Sequence, residues 1–311
     1  MNNEITTEID GRLCTGCGLC VRVCPADTLS MREGKAVVSG RRSLNCGHCE
    51  AICPTGAVKV RALDDEAARF ETLRPDPQAL APGEYDPAML LQLMRSRRSC
   101  RNYRQRPVAK ALLTDLVRAG ITAPSGTNSQ QWTFTLLDRR EQVIALGNRV
   151  GLFFEQLNRL AANPLARFYS RLFGNDALGR YHRRYARTTA KALRVWREEG
   201  RDRLFHGAPA AILVGSRPGA SCPMEDALLA TQNILLAAHA LGLGSCLIGF
   251  AVEAMKRDRT IQQELGIPGE EAVYAVIALG YPDEHYLRGA GRKWPLVRVA
   301  GQGRAIGPRP K

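Results

Sequence analysis

Two short cysteine runs carry the first chemistry in this sequence. One reads Cys14-Thr15-Gly16-Cys17-Gly18-Leu19-Cys20-Val21-Arg22-Val23-Cys24-Pro25, the other Cys46-Gly47-His48-Cys49-Glu50-Ala51-Ile52-Cys53-Pro54. The first has the C-x2-C-x2-C-x3-C-P spacing of bacterial iron–sulfur proteins. In that pattern three thiolates converge on one cluster from a single loop, and the fourth cysteine serves the other cluster. Cys14, Cys17, Cys20 and Cys53 are therefore expected to hold one [4Fe–4S] cluster, and Cys24, Cys46 and Cys49 a second. A disulfide framework and a zinc site compete with this reading. Neither accounts for the third cysteine of each run or for the prolines that follow. The second run lacks its first ligand, because the register places Ser43 there. A serine alkoxide is a harder and poorer iron ligand than a thiolate. The second cluster is thus either [4Fe–4S], completed by Ser43 or by water or hydroxide, or [3Fe–4S].

Three later stretches offer a different chemistry. Arg97, Arg98, Ser99 and Arg101 crowd three guanidinium groups and a hydroxyl into five residues. Such a set can bind a phosphate through charge-assisted, bidentate hydrogen bonds, although a run of this kind also occurs as a solvated charge cluster. Residues 123–132 read Ala-Pro-Ser-Gly-Thr-Asn-Ser-Gln-Gln-Trp. Small residues there permit close backbone approach, and Asn128 and Gln130 pair donors with acceptors, as the edge of an isoalloxazine ring requires. Turn chemistry alone would favour the same composition. Residues 242–250, Gly-Leu-Gly-Ser-Cys-Leu-Ile-Gly-Phe, follow an apolar helix. Their glycines can present backbone N–H groups to a ring, or simply cap the helix.

The cysteine-rich segment resembles the two-cluster bacterial ferredoxins over about the first sixty residues. The three later stretches together resemble the nitroreductase family of FMN enzymes, roughly over residues 87–295. The Pro-Ser-x-x-Asn-x-Gln-x-Trp run is the most specific of the three motifs, with Gln131 replacing the usual proline before Trp132. The resemblance implies FMN phosphate contacts from Arg97, Arg98, Ser99 and Arg101, with Arg292 as a C-terminal phosphate ligand and Lys293 its rival. It implies ribityl or ring contacts from Ser125, Asn128 and Gln130, and places the backbone of Ile248 and Gly249 near the flavin N5. It also implies an intertwined homodimer with FMN at the subunit interface. No G-x-G-x-x-G follows a strand, so no Rossmann dinucleotide domain is expected. Within the family, nicotinamide can dock directly over the flavin.

The elements that must position these residues divide into three parts: a ferredoxin-type domain at 1–62, a linker at 63–85 and an FMN domain at 86–311, with a helical insertion at about 142–203. In the first part, strands are expected at 28–31, 36–39 and 56–60. The linker carries Pro75, Pro77, Pro82 and Gly83, with one short helical piece near Ala67. Asp86-Pro87 signals a helix start, with an apolar stripe of Met89, Leu90, Leu93 and Met94. Helices are expected at 108–120 and 226–241, the latter apolar enough to be central or interfacial. Strands are expected at 132–137, 210–215 and 272–279. Without strict alternation of helix and strand, the fold class is α+β: a nitroreductase-like FMN-binding α/β sandwich behind a small ferredoxin-like domain. In the insertion, Arg180, Arg184, Arg187, Lys191 and Arg194 recur at helical spacing, beside Tyr181, Tyr185 and Trp196. This is either a solvated basic face, or a lid or docking surface.

The 311 residues suffice for one large domain and a small one, and a 45% hydrophobic content can fill a core. Met1 to Asp10 has no apolar signal region, and no run is long enough to span a membrane. The three cysteines outside the cluster segment, Cys100, Cys222 and Cys246, are scattered as reduced thiols would be, so a cytoplasmic location is expected. A net charge of +14 favours an acidic partner. An electron carrier such as ferredoxin or flavodoxin is expected rather than nucleic acid. Clusters pass single electrons and FMN delivers pairs. The expected activity is therefore relay of electrons through the clusters to FMN and on to a small nitro-, quinone- or enone-like acceptor. The alternative is an electron-transfer module that serves a partner protein.

Overall fold

Short strands and single helical turns build the N-terminal part of the computed structural model, which describes residues 4–301 and 305–306. In chain order these are β1 (Thr7–Ile9), α1 (Leu19–Arg22), β2 (Leu29–Arg32), β3 (Lys35–Val38), α2 (His48–Ala51) and β4 (Val58–Val60). β1 pairs antiparallel with β4, and β2 with β3. The two halves are near-copies. Each helical turn starts from a left-handed glycine, Gly18 at φ 71° and Gly47 at φ 75°, a backbone conformation only glycine adopts without cost. β1 has no counterpart among the expected strands, because Thr7, Glu8 and Ile9 are too few to show an alternation on their own; the partner β4 extends it. The buried apolar set is small, chiefly Cys20, Leu29, Ala36, Cys49, Val58 and Val60. So small a core supplies little folding energy by itself.

A 3-10 turn at Asp65–Ala68, capped by Asp64, follows. The linker beyond it is tied down. Asp115, fully buried, accepts hydrogen bonds from the Glu71 N–H (2.6 Å), the Thr72 N–H (2.7 Å) and the Thr72 hydroxyl (2.5 Å), and pairs with Arg118 at 3.3 Å.

The larger part contains α3 (Pro87–Ser96), α4 (Lys110–Gly120), β5 (Trp132–Leu137), α5 (Arg140–Ala162), α6 (Pro164–Phe173), α7 (Ala177–Tyr181), α8 (Arg187–Glu199), β6 (Ala210–Ser216), α9 (Pro223–Ala240), β7 (Gly244–Leu247), α10 (Gly249–Arg257), α11 (Thr260–Gln263) and β8 (Ala272–Gly280). A final pair, β9 (Val297–Arg298) and β10 (Ala305–Ile306), is antiparallel. The main sheet has the order β5-β6-β8-β7, antiparallel throughout. Its central strands are buried on both faces. Ala211, Leu213, Val276 and Ala278 pack with α5 and α10, while Ala210, Ile212, Val214, Ala275, Ile277 and Leu279 pack with α4 and α9. Residues alternate between faces along a strand, and a sheet sandwiched between helices therefore reads as continuous apolar sequence.

Two apolar surfaces are left uncovered. The α3 stripe buries no residue: Met89, Leu90 and Met94 are exposed. On α9, Ala230, Ile234 and Ala238 are buried, but Met224, Leu228 and Leu229 are exposed. Among the described residues no helix is long and apolar enough to cross a membrane.

Candidate functional site

The two cysteine sets surround two separate cavities. Cys14, Cys17, Cys20 and Cys53 line one, with Gly18, Ala36 and Val58. Cys24, Cys46 and Cys49 line the other, and Ser43 stands with them. All ten cysteines are free thiols, so no disulfide framework is present. Among the described residues no three His, Cys, Asp or Glu side chains are grouped as ligands of a single ion.

Local backbone geometry fits thiolate ligands. The Thr28 N–H donates to Cys24 Sγ at 3.3 Å, and the Ala57 N–H donates to Cys53 Sγ at 3.2 Å, the same position in each repeat. N–H groups of Ala36 and Gly16 hold the Cys14 thiol below its ordinary range. Burial pushes Cys24 and Cys53 upward, but hydrogen bonds, from Thr28 and Ala26 to the first and from Thr55 and Ala57 to the second, outweigh it and leave both lowered. Burial dominates at Cys20 and Cys49 and raises both. Ser43 repeats the Cys14 geometry. It is buried, and its Oγ accepts the Asn45 N–H at 3.0 Å, two residues on, as Cys14 accepts from Gly16.

The Arg-rich segment follows α3 and lies along β7. Ser99 forms a parallel bridge with Ser245, and the Cys100 N–H donates to the Ser245 carbonyl at 3.0 Å. Gly244 makes this approach possible, since a Cβ there would stand 2.7 Å from Cys100 Cβ. The Ser99 hydroxyl hydrogen-bonds the Cys246 thiol, and Arg101 and Arg97 both bear on Cys246 electrostatically; burial still raises that thiol. Arg98 lies 6.0 Å from the Tyr286 ring centre. Among the described residues Arg97, Arg98 and Arg101 form no ion pair. Three uncompensated guanidinium groups beside a glycine-lined strand suit a phosphate. Arg292 is not brought to this group by any hydrogen bond; its guanidinium donates to the local carbonyls of Ala290 and Gly291.

The 123–132 loop is anchored from below by Asp226, a buried carboxylate in the first turn of α9. Its Oδ1 accepts the Gly126 N–H at 2.8 Å, its Oδ2 the Ser129 hydroxyl at 3.2 Å, and its carbonyl the Trp132 indole N–H at 3.1 Å. Sequence reasoning missed Asp226. The loop carries three left-handed non-glycine residues, Thr127, Asn128 and Gln130, a strained arrangement that persists only where the surroundings enforce it. Ser125 Oγ accepts the Gln130 N–H at 3.1 Å. The Asn128 side chain reaches out of its own domain. Its Nδ2 donates to the Asn45 carbonyl at 2.9 Å and the Leu44 carbonyl at 3.3 Å, and its Oδ1 accepts from Gln130 Nε2 at 3.0 Å. Asn45 is the residue whose N–H bonds Ser43. A short hydrogen-bonded path therefore joins the loop to the Ser43 cavity.

Ile248 is buried at the end of β7, and its N–H donates to Val276 O at 2.8 Å. Leu247, Gly249 and Phe250 line a cavity of about 590 Å³ that opens towards the helical insertion.

Comparison with known proteins agrees with this layout. Residues 94–281 match the Nitroreductase family, and residues 13–57 match the 4Fe-4S dicluster domain. An NADH dehydrogenase of Thermus thermophilus is 31% identical over 204 residues, covering 65% of this chain and 90% of its own length. A 5,6-dimethylbenzimidazole synthase of Rhodospirillum rubrum is 27% identical, covering 65% of this chain and 87% of its own. A nitroreductase with bound FMN from Bacteroides fragilis is similar in structure, with a TM-score of 0.48 at 24% identity over 68% of this chain and 96% of that one.

Proposed function

The chain belongs to the nitroreductase family of flavin oxidoreductases and carries a 4Fe-4S dicluster domain at its N-terminus, and from this premise we propose that it relays electrons from an acidic one-electron carrier, such as ferredoxin or flavodoxin, to a small organic acceptor. When bound, the clusters supply single-electron steps and FMN converts them into hydride-equivalent chemistry. Cys14, Cys17, Cys20 and Cys53 hold one cluster, and Cys24, Cys46, Cys49 and Ser43 the other. Arg97, Arg98, Ser99 and Arg101 bind the FMN phosphate, with Arg292 as a further ligand from the C-terminal segment. Ser125, Asn128, Gln130 and the backbone of Ile248 and Gly249 orient the ribityl chain and ring. Two carrier molecules are oxidised by one electron each for every acceptor reduced by two, with protons drawn from solvent.

One observation carries this reading: Asn128, in the flavin loop, is hydrogen-bonded to the backbone on which Ser43 sits. A cluster domain tethered only for stability would not need its cofactor cavity turned towards that loop. Asp115 strengthens the docking by fixing the linker.

Family proteins are typically dimers. The exposed apolar faces of α3 and α9 support a homodimer here, since contiguous exposed apolar patches mark interaction sites. The net charge of +14 would steer an acidic carrier, and raised salt should slow it.

The test uses anaerobically prepared full-length protein and reduced ferredoxin. Flavin absorbance should bleach after the clusters are reduced, and Cys46→Ala should abolish bleaching by ferredoxin. Equal bleaching in that variant would remove the clusters from the route.

A further inference from the structure

The cavity beside Leu247 and Gly249 is walled by the helical insertion and has a definite chemical character. Phe154 of α5 and Phe250 of α10 meet edge to face at 5.3 Å, and Tyr185 meets Phe250 edge to face at 6.0 Å. Tyr181 stacks against Phe154 at 6.2 Å. Its hydroxyl is spoken for: it donates to Asn158 Oδ1 at 2.8 Å and is hydrogen-bonded to the Thr189 hydroxyl at 2.9 Å. Tyr181 thus presents a fixed aromatic face rather than a free donor. The walls accept a flat, apolar body, and about 590 Å³ is room for a small ligand of one or two rings.

The charges around that body are unbalanced. Arg180, Arg184, Arg257 and Glu253 are the charged groups at the rim. Arg257 Nε is paired with Glu253 Oε1 at 2.6 Å, so those two cancel. Arg180 donates to the carbonyl of Asn175, a neutral partner that leaves its charge in place. The Arg184 guanidinium has no hydrogen bond or ion pair with the described residues, while its neighbour Arg183 is held by Asp176 at 2.7 Å. Arg184 and Tyr185 lie in a π-helical turn, His182–Ala186, between α7 and α8. Turns of this type recur at functional sites.

We propose that this cavity selects a planar acceptor bearing an acidic group, with its apolar body against Phe154, Tyr185 and Phe250 and its carboxylate on Arg184, supported by Arg180. The proposal deepens the reading above and rests on FMN lying against residues 247–249. An apolar body places the reducible group towards Gly249 while the guanidinium holds the far end. A planar guanidinium matches a carboxylate in two parallel hydrogen bonds. Arg184 is then a specificity-determining residue of the insertion, and the proposal gives a role to the two stripe arginines that reach the cavity, Arg180 and Arg184.

Binding is tested by calorimetry on FMN-loaded holoprotein with benzoate and benzamide, neither of which is turned over, and without any electron donor. Benzoate should bind wild type about tenfold tighter than benzamide, and Arg184→Ala should remove that preference, the size expected of one charge-assisted contact. Arg184→Lys should keep part of it. In turnover, para-nitrobenzoate should show a lower KM than para-nitrobenzamide in wild type, and Arg184→Ala should close the gap through KM rather than kcat. A salt titration of wild-type benzoate binding reads the same charge with no substitution, should Arg184→Ala fold poorly. Equal affinity for acid and amide in wild type, or an unaltered preference in Arg184→Ala, overturns the proposal. Since calorimetry needs no reductant, failure of the electron relay would leave these binding results intact, and the two readings fail separately.

Discussion

Asn128 is the residue to perturb first, because its side chain hydrogen-bonds the 123–132 loop to the backbone beside Ser43. Asn128→Ala removes a donor at 2.9 Å from the Asn45 carbonyl and a longer one at 3.3 Å from the Leu44 carbonyl. A neutral hydrogen bond contributes about 0.5–1.5 kcal/mol net. Both carbonyls are partly accessible to water, so the loss should total about 1–2 kcal/mol, a factor of about 5–30 in the docking equilibrium. Asn128→Asp keeps the shape but aims a carboxylate at two carbonyl oxygens, so it should be worse than alanine. Amide hydrogen exchange at residues 44–47 is the informative assay. Exchange reads the open fraction, which rises by the whole factor; flavin reduction reads the docked fraction, which falls visibly only once opening is no longer rare. Faster exchange should appear in both variants, in the order Asp above Ala above wild type, with and without added FMN. The second condition separates docking from any loss of flavin affinity. Wild-type exchange at 44–47 in both variants would refute the coupling.

Other outcomes follow from the same geometry. Ser43→Cys places a thiolate in a buried position already oriented by the Asn45 N–H, and should yield a second cluster more resistant to loss and an altered EPR signature; no spectral change would count against Ser43 as the fourth ligand. Arg97→Ala and Arg101→Ala should each weaken FMN binding by about 10–150-fold, the range for one charge-assisted hydrogen bond of about 1.5–3 kcal/mol, with iron content unchanged; full FMN retention in both would remove the phosphate assignment. Burial raises the Asp115 carboxyl, but hydrogen bonds from Thr72 and Glu71 and the Arg118 partner outweigh it and leave its pKa lowered. Its stabilisation is therefore present above the ordinary carboxyl value, about 3.9, and is lost as pH falls through the lower folded value. Asp115→Asn should free the linker and flatten that acid limb of a thermal-stability profile; an unaltered profile would show that the clamp carries no net stability.

Some of this architecture was open to reading and some was not, for physical reasons that particular residues make plain. The cysteine sets were legible because cluster ligation fixes spacing in sequence, and the structure groups the same residues around two cavities. β6 and β8 were legible because burial on both faces leaves an apolar run. The α3 stripe was legible as a pattern, yet the described residues fully bury none of it: periodicity tells that a face is apolar, not which surface meets it. β1 escaped because three residues, Thr7, Glu8 and Ile9, are too few to show an alternation, and only the partner strand makes them extended. The anchors escaped for a deeper reason. Asp226, in a first helical turn, reads locally as a complement to the helix dipole, and Asp115 as one more charge on α4. Each instead accepts backbone N–H groups from a segment far away in sequence, Gly126 in one case and Glu71 and Thr72 in the other. Asn128 follows the same logic with its role reversed, a side-chain donor to distant carbonyls. A hydrogen bond between remote segments imposes no local period, so it leaves no trace in the composition around either partner. Loops and linkers are where such bonds are needed, because their backbone groups have no ladder of their own to satisfy. The parts of this molecule that join one cofactor site to the next are therefore the parts least legible in sequence.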